Sequence, residues 1–267
     1  HGKIHEEDAR GFHLSCIKNK CMNDSYAESA LVTAEMILHQ KILRSYARYV
    51  DRFISPSQFL IDLCVKYGWP RRAFVHVPHG ITMPTLSQHL GEGDAVVYMG
   101  RLSEEKGIDV VLTAAKETPE IPYRIIGDGP EREKIIRRIA EERIQNVTLQ
   151  GFVSGQKRDD VLAHARILVV PSLWYENAPL SLLEAKAWGK IVLGSRIGGI
   201  PELLPAELLV PPGDPQALAH AIQVWYSASL SRREEMGLRL RREVEKEHAL
   251  ETYLARVEGL YRTLTQQ

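Results

Sequence analysis

From residue 95 to residue 195 the sequence repeats one alternation, and few architectures accept it. Short apolar runs (AVVYMG, YRIIG, NVTLQG, RILVVPS and KIVLGS) are interleaved with stretches of helical spacing: KGIDVVLTAAKE, PEREKIIRRIAEER, QKRDDVLAHA and PLSLLEAKAWG. A strand that is apolar along its whole length has both faces buried, and a helix between two such strands is the crossover that parallel pairing needs. The pattern predicts an α/β fold, a parallel sheet with helices on both faces. AELLV reads as a further strand, and three helices follow, the last being ALETYLARVEGLYRTL.

The first 83 residues are patterned differently. Residues 1–25 show no periodicity and read as loop. In YAESALVTAEMILHQKILRSYA, Leu31, Ala34, Ile37, Leu38 and Ile42 recur at helical spacing, which predicts one amphipathic helix. DRFISPS reads as a strand and turn, Ser57 as the cap of a helix QFLIDLCVKYG stopped by Gly68 and Pro70, and AFVHVPHGI as a second strand. The polar stretch TMPTLSQHLGEGDA reads as a linker. The division predicted is therefore 1–83, a linker at 84–94, a βαβ domain at 95–247 and a terminal helix at 248–267. The helix near residues 26–46 has few sheet neighbours, so exposed apolar surface and self-association are expected.

Several functions are disfavoured. Lys plus Arg and Asp plus Glu both number 34, so no basic field attracts nucleic acid. No apolar stretch approaches the roughly 20 residues of a membrane span, and no signal peptide is visible. The start at His1 rather than Met suggests a processed or excised piece. Cys16, Cys21 and Cys64 suit a reducing compartment. Cys16 and Cys21 lie close to His13, but no second ligand pair follows at zinc-finger spacing, which favours structural or free thiols over a metal site. No D-x-D pair occurs to hold a divalent ion.

In a parallel sheet of this kind, ligands bind at the carboxyl ends of the strands. GRLSEEKG (100–107), GDGPE, GFV and PSLWYENAP each follow a strand end, so four loops build one crevice. In YENAPLSLLE, Pro179 fits a helix start, which leaves the amides of Leu180 and Ser181 facing outward where an anion is favoured. Glu176 precedes that helix and Glu184 lies about one turn inside it, so the two can meet hydroxyls on either side of a phosphate. The plainer alternative is two surface acids at a helix start. Arg101 and Lys106 supply the cations that a departing diphosphate needs. Their plainer alternative is solvation, with ion pairs to Glu104 or Glu105. GDGPER lacks the third glycine of a dinucleotide fingerprint and reads as a tight turn, and GGIPE (198–202) reads as a turn and helix start. His76 and His79 read as structural, and there is no G-x-S-x-G elbow.

Taken in order, GRLSEEKG, GDGP, GFV, PSLWYENAPLSLLEAKAWG and GGIPE strongly resemble the retaining glycosyltransferases of family 4. The resemblance spans about residues 70–267. It implies the GT-B fold, two Rossmann-like domains with a donor cleft between them, here with the first domain truncated. VPHGI resembles the family's linker motif, with His79 where asparagine is more usual, and DRFISPS resembles the last strand and turn of the first domain. That domain's Gly-rich loop is absent, and His1 stands where the family carries a histidine at the transfer centre. By position, the resemblance implies that Arg101 and Lys106 hold the donor diphosphate, Glu176 the transferred sugar and Glu184 the ribose. Leu180 and Ser181 would give amide contacts, Val153 the seat of the base, and Gly100, Gly129, Asn177, Ala178 and Pro179 further donor contacts. The activity implied is retaining transfer of a hexose from a UDP-, GDP- or ADP-sugar to a glycan or lipid-linked acceptor. It would proceed without metal or other cofactor, in the cytoplasm or peripherally at the inner face of the membrane. A sugar-nucleotide-binding module without transferase activity and a GT-B nucleotide-sugar epimerase remain alternatives. The short first part predicts a chain that binds donors but transfers slowly.

Overall fold

The computed structural model describes residues 14–85 and 92–266. The first part comprises α1 (Leu14–Lys18), α2 (Tyr26–Ile37), α3 (Ser45–Tyr49), β1 (Phe53–Ser55), α4 (Gln58–Lys66) and β2 (Phe74–His76). Helix α1 lies in the stretch read as loop. The single helix expected over residues 26–47 is instead broken. It passes through a widened π turn at Leu38–Ile42 and ends at Arg44, whose φ of 49° is left-handed. Its buried residues are Ser29 and Thr33, while Leu31, Leu38 and Ile42 are exposed. Among the described residues the apolar stripe finds no larger sheet to cover, because β1 and β2 pair there only with each other, in parallel and with Phe53 opposite Phe74. Packing there relies on rings: Phe53 meets Trp69 and Phe74 at centroid distances of 5.4 Å, and Tyr46 closes the cluster.

The second part carries β3 (Ala95–Met99), α5 (Ile108–Glu117), β4 (Tyr123–Ile126), α6 (Arg132–Glu141), β5 (Val147–Gln150), α7 (Gln156–His164), β6 (Ala165–Val170), α8 (Leu180–Ala187), β7 (Ile191–Ser195), α9 (Ile200–Leu203) and β8 (Leu209–Val210). All neighbours pair in parallel, in the order β5-β4-β3-β6-β7-β8. This is the doubly wound arrangement expected, and its direction reverses between β3 and β6. The central strands are buried along almost their whole length, from Ala95 to Tyr98 and from Ile167 to Val170. Helix α5 presents Ile108, Val111, Leu112 and Ala115 to them. AELLV is only partly a strand. Pro205 has no N–H to give a ladder and opens a 3-10 turn at Ala206–Leu208, so only Leu209 and Val210 pair with β7.

The remaining helices are α10 (Pro215–Tyr226), α11 (Leu230–Glu247) and α12 (Leu250–Thr265), the first two capped by Asp214 and Ser229. Ile81 bridges to the start of α12: its N–H donates to His248 O at 2.8 Å, and its carbonyl accepts from Leu250 N at 3.0 Å. No residue of α12 is buried. Two lysines are almost fully enclosed. Lys186 donates to Leu203 O at 2.6 Å and Glu243 at 2.9 Å, and Lys190 donates to Ala163 O at 2.5 Å and Glu92 O at 3.1 Å. Burial holds the amine pKa of both below the ordinary lysine range, that of Lys190 at about 8. None of the helices among the described residues is long and apolar enough to cross a membrane.

Candidate functional site

The loops after β3 and β4 are joined by their backbones. Leu102 N donates to Asp128 O at 2.9 Å and Glu131 N to Leu102 O at 3.0 Å. Gly127 makes the approach possible: its φ is +142°, and a Cβ there would lie 1.9 Å from Gly100 O. GDGPE is therefore a tight turn, as its spacing suggested, and Gly129 packs so closely that a Cβ there would lie 2.3 Å from Leu102 O.

Two adjoining clefts open at the carboxyl ends of the strands, and a third adjoins them along α7 and α8. One, of about 440 Å³, lies over β3 and β6 at the reversal point and is lined by Gly100, Arg101, Lys106, Ser172, Glu176, Pro179, Leu180 and Ser181, among others. A second, of about 450 Å³, shares Gly100 and Arg101 and adds Asp128, Phe152, Val153 and Arg158. A third, of about 320 Å³, reaches from Arg158 and Glu184 to Gly80–Pro84 and Trp188. The sequence-derived residues Gly100, Arg101, Lys106, Val153, Glu176, Pro179, Leu180, Ser181 and Glu184 thus lie in one continuous crevice.

Lys106 pairs neither with Glu104 nor with Glu105. Its ammonium donates to Glu176 Oε1 at 2.6 Å, and Ser172 Oγ donates to the same oxygen at 2.7 Å. Glu105 is engaged elsewhere, accepting from Ser103 Oγ at 2.5 Å while its carbonyl accepts from Leu173 N at 2.8 Å. These bonds tie the β3 loop to the β6 loop. Arg101 is exposed at the join of the first two clefts, and its carbonyl accepts from Tyr98 OH at 2.7 Å. Burial, with the nearby charges of Glu176 and Glu105, pushes the Tyr98 hydroxyl above the ordinary tyrosine range, so it stays a donor.

Pro179 is the N-cap of α8 rather than a first-turn residue, and no side chain caps the helix. The amides of Leu180 and Ser181 therefore face the first cleft without a capping partner. Glu184 accepts from Arg158 Nη1 at 2.9 Å. Burial raises the Glu184 carboxyl pKa, and Arg158 opposes that rise. Arg158 also holds Asp159 at 2.9 Å. Asn177 accepts from Ser57 Oγ, and Ala178 is buried; neither is among the residues lining these three clefts. His1 lies outside the described residues. Among those residues no group of three or more His, Cys, Asp and Glu could hold a metal ion.

Sequence reasoning missed three participants. Arg158 was read as part of a helix, although its place just behind the GFV loop is a signal that the crevice reaches the first turn of α7. Ser172 is the first polar residue after β6, and Tyr98 is the polar residue inside an apolar strand.

A sequence model of the family described as glycosyl transferases group 1 matches residues 87–242, which is more than half of the chain. The chain belongs to this family. Among curated relatives, the putative colanic acid biosynthesis glycosyltransferase WcaL of Escherichia coli K12 is 28% identical over 197 residues, covering 67% of this chain and 48% of that protein. The 2-deoxystreptamine N-acetyl-D-glucosaminyltransferase of Niallia circulans is 28% identical over 196 residues, covering 69% of this chain and 48% of that protein. The chain thus spans about half the length of these relatives. Among solved structures, the sucrose-phosphate synthase of Thermosynechococcus elongatus superposes with a TM-score of 0.75 at 24% identity, covering 96% of this chain and 67% of that one. Anabaena HepE, in complex with UDP and glucose, gives 0.74 at 17%, covering 94% and 70%. These likenesses establish the fold, which is that of GT-B glycosyltransferases, and this group 1 chain carries its crevice at the reversal point of the sheet.

Proposed function

We propose that the chain is the donor-binding part of a glycosyltransferase that takes a nucleoside-diphosphate hexose and transfers the sugar, with retention, to a glycan or lipid-linked acceptor. The observation that carries this reading is the meeting of Arg101, Lys106, the free amides of α8 and the carboxylate of Glu176 in one cleft over the reversal point. An anion is favoured by the first three groups, and sugar hydroxyls by the fourth. Glu184 and Arg158 lie where the cleft continues, suited to a ribose, and Val153 offers an apolar face for a base.

The chemistry follows from the arrangement. As the bond between the anomeric carbon and the diphosphate breaks, negative charge gathers on the leaving oxygen. Arg101, Lys106 and the α8 amides stabilise it from fixed positions, with no metal ion needed in this role. Retention follows if the acceptor hydroxyl enters on the face that the diphosphate leaves and gives its proton to the departing phosphate. The acceptor must come within about 3–3.5 Å of that carbon with water excluded. The names of the colanic acid and amylovoran biosynthesis relatives support a place in polysaccharide synthesis.

Thermal unfolding in the presence of UDP, GDP, ADP and their sugars tests the reading. A ligand at 100 times its dissociation constant adds about 2.7 kcal/mol of stability. At least one sugar nucleotide is expected to raise the melting temperature well above its free nucleoside. No stabilisation by any member of the panel overturns the assignment.

A further inference from the structure

The loop that carries Glu176 is gripped from two directions, one of them from the first part of the chain. Helix α4 begins at Ser57, whose hydroxyl accepts from Leu60 N and leaves the amides of Gln58 and Phe59 without a partner in their own helix. The carboxylate of Glu202, more than 140 residues away, accepts from both: Oε2 from Gln58 N at 2.9 Å, and Oε1 from Phe59 N. This charge-assisted contact at the positive end of a helix lies beside two others. Ser57 Oγ donates to Asn177 Oδ1, and the Phe59 ring meets Tyr175 edge-on with centroids 5.0 Å apart. Tyr175 and Asn177 are the two neighbours of Glu176. From the opposite side, Gly199 N donates to Glu176 O at 2.7 Å, and a Cβ on Gly199 would lie 1.9 Å from Asn177 O. Glu202 follows Gly199 by three residues, on α9.

We propose that Glu202 and the N-terminus of α4 form a latch that positions Glu176 for the donor sugar, a role that rests on the donor reading above. Glu202 is a positioning residue and touches no substrate. Its carboxylate draws α4 onto the strip 175–177 and presses that strip against Gly199. Because Glu202 is exposed, the contact can be broken and remade without unfolding the sheet.

Amide hydrogen exchange on the full chain, wild type against Glu202→Ala, reads the latch directly. Exchange is expected to quicken at least tenfold at Gln58 and Phe59, and also at Gly199, with β7 unchanged. By titration calorimetry, affinity for UDP, GDP and ADP is expected to change less than threefold in Glu202→Ala. The extra affinity that a glucose moiety adds to whichever of these binds should fall severalfold. Glu202→Gln, which keeps one acceptor oxygen, should fall between. Faster exchange confined to Gln58 and Phe59 makes the contact a helix cap only and overturns the latch, as does an unchanged glucose increment. If the wild-type chain binds no nucleotide, the donor reading falls, and exchange at Gly199 still decides whether the latch exists.

Discussion

Replacing Glu176 by glutamine should tighten the binding of a bare nucleoside diphosphate. In the unliganded cleft the Lys106 ammonium is already matched, 2.6 Å from the Glu176 carboxylate. A phosphate arriving on the far side of the ammonium comes within about 5 Å of that carboxylate, and the two repel. Coulomb's law gives about 3 kcal/mol at an effective dielectric constant of 20 and about 0.8 kcal/mol in bulk water. The Glu176 side chain is only 15% exposed, which places the effect toward the upper figure. Glu176→Gln removes the repulsion and keeps an acceptor for Lys106 and Ser172, so affinity for the diphosphate should rise by about thirtyfold or more, within limits of about fourfold and a few hundredfold. The sugar-bearing donor should gain far less, since the carboxylate that meets its hydroxyls is gone. Titration calorimetry with UDP, GDP and ADP and their glucose conjugates measures both arms, and the gain should shrink from 50 to 500 mM salt. Weaker binding of the bare diphosphate by Glu176→Gln would refute the reasoning, because it would make the carboxylate a partner of the phosphate rather than its competitor.

Three other outcomes are expected. Glu184→Ala should weaken ribonucleotide binding by about tenfold or more, the cost of losing hydrogen bonds to a charged group, while leaving a 2′,3′-dideoxynucleotide unaffected; equal loss for both removes Glu184 from the ribose. Folded Lys190 releases its proton near pH 8, whereas the unfolded chain holds it to about 10.5. The unfolded state therefore binds more protons in that window, and stability rises with pH there. The rise between pH 8 and 9.5 should be on the order of 1–2 kcal/mol in urea titrations, and Lys190→Met should lack it; an identical pH profile in the variant refutes the buried charge. Leu31, Ile42 and Tyr49 are 72%, 68% and 74% exposed, so the chain should self-associate at high concentration, and Leu31→Glu with Ile42→Glu should restore a monomer in sedimentation velocity; unchanged association places the contact elsewhere.

The sheet was legible because its central strands, β3, β6 and β7, are apolar along almost their whole length, a pattern that a half-solvated strand cannot share. The crevice was legible because doubly wound sheets bind at strand ends, and four loops there were polar. What escaped was partnership. Lys106 and Glu176 were each read as a ligand group, and no local signal says that they meet, since the contact exists only once β3 and β6 lie side by side. Arg158 escaped for the same reason: its partner Glu184 lies 26 residues away on another helix. The helix expected over residues 26–47 failed differently. Its periodicity was sound, but the stripe of Leu31, Leu38 and Ile42 has no sheet face among the described residues to bury against, and the backbone breaks at Arg44. Asn177 was placed in the site because the resemblance places it there, whereas its amide serves Ser57.

The reversal of the sheet between β3 and β6 also governs when the site can appear during folding. Lys106 and Glu176 are 70 residues apart, with the elements from α5 to β6 between them. Closing that long loop carries an entropic cost before any contact across it is rewarded. No isolated βα unit of this chain can therefore bring Lys106 and Glu176 together. The Lys106–Glu176 contact is expected to form with the β3–β6 pair, and during global unfolding it should persist until that pair separates.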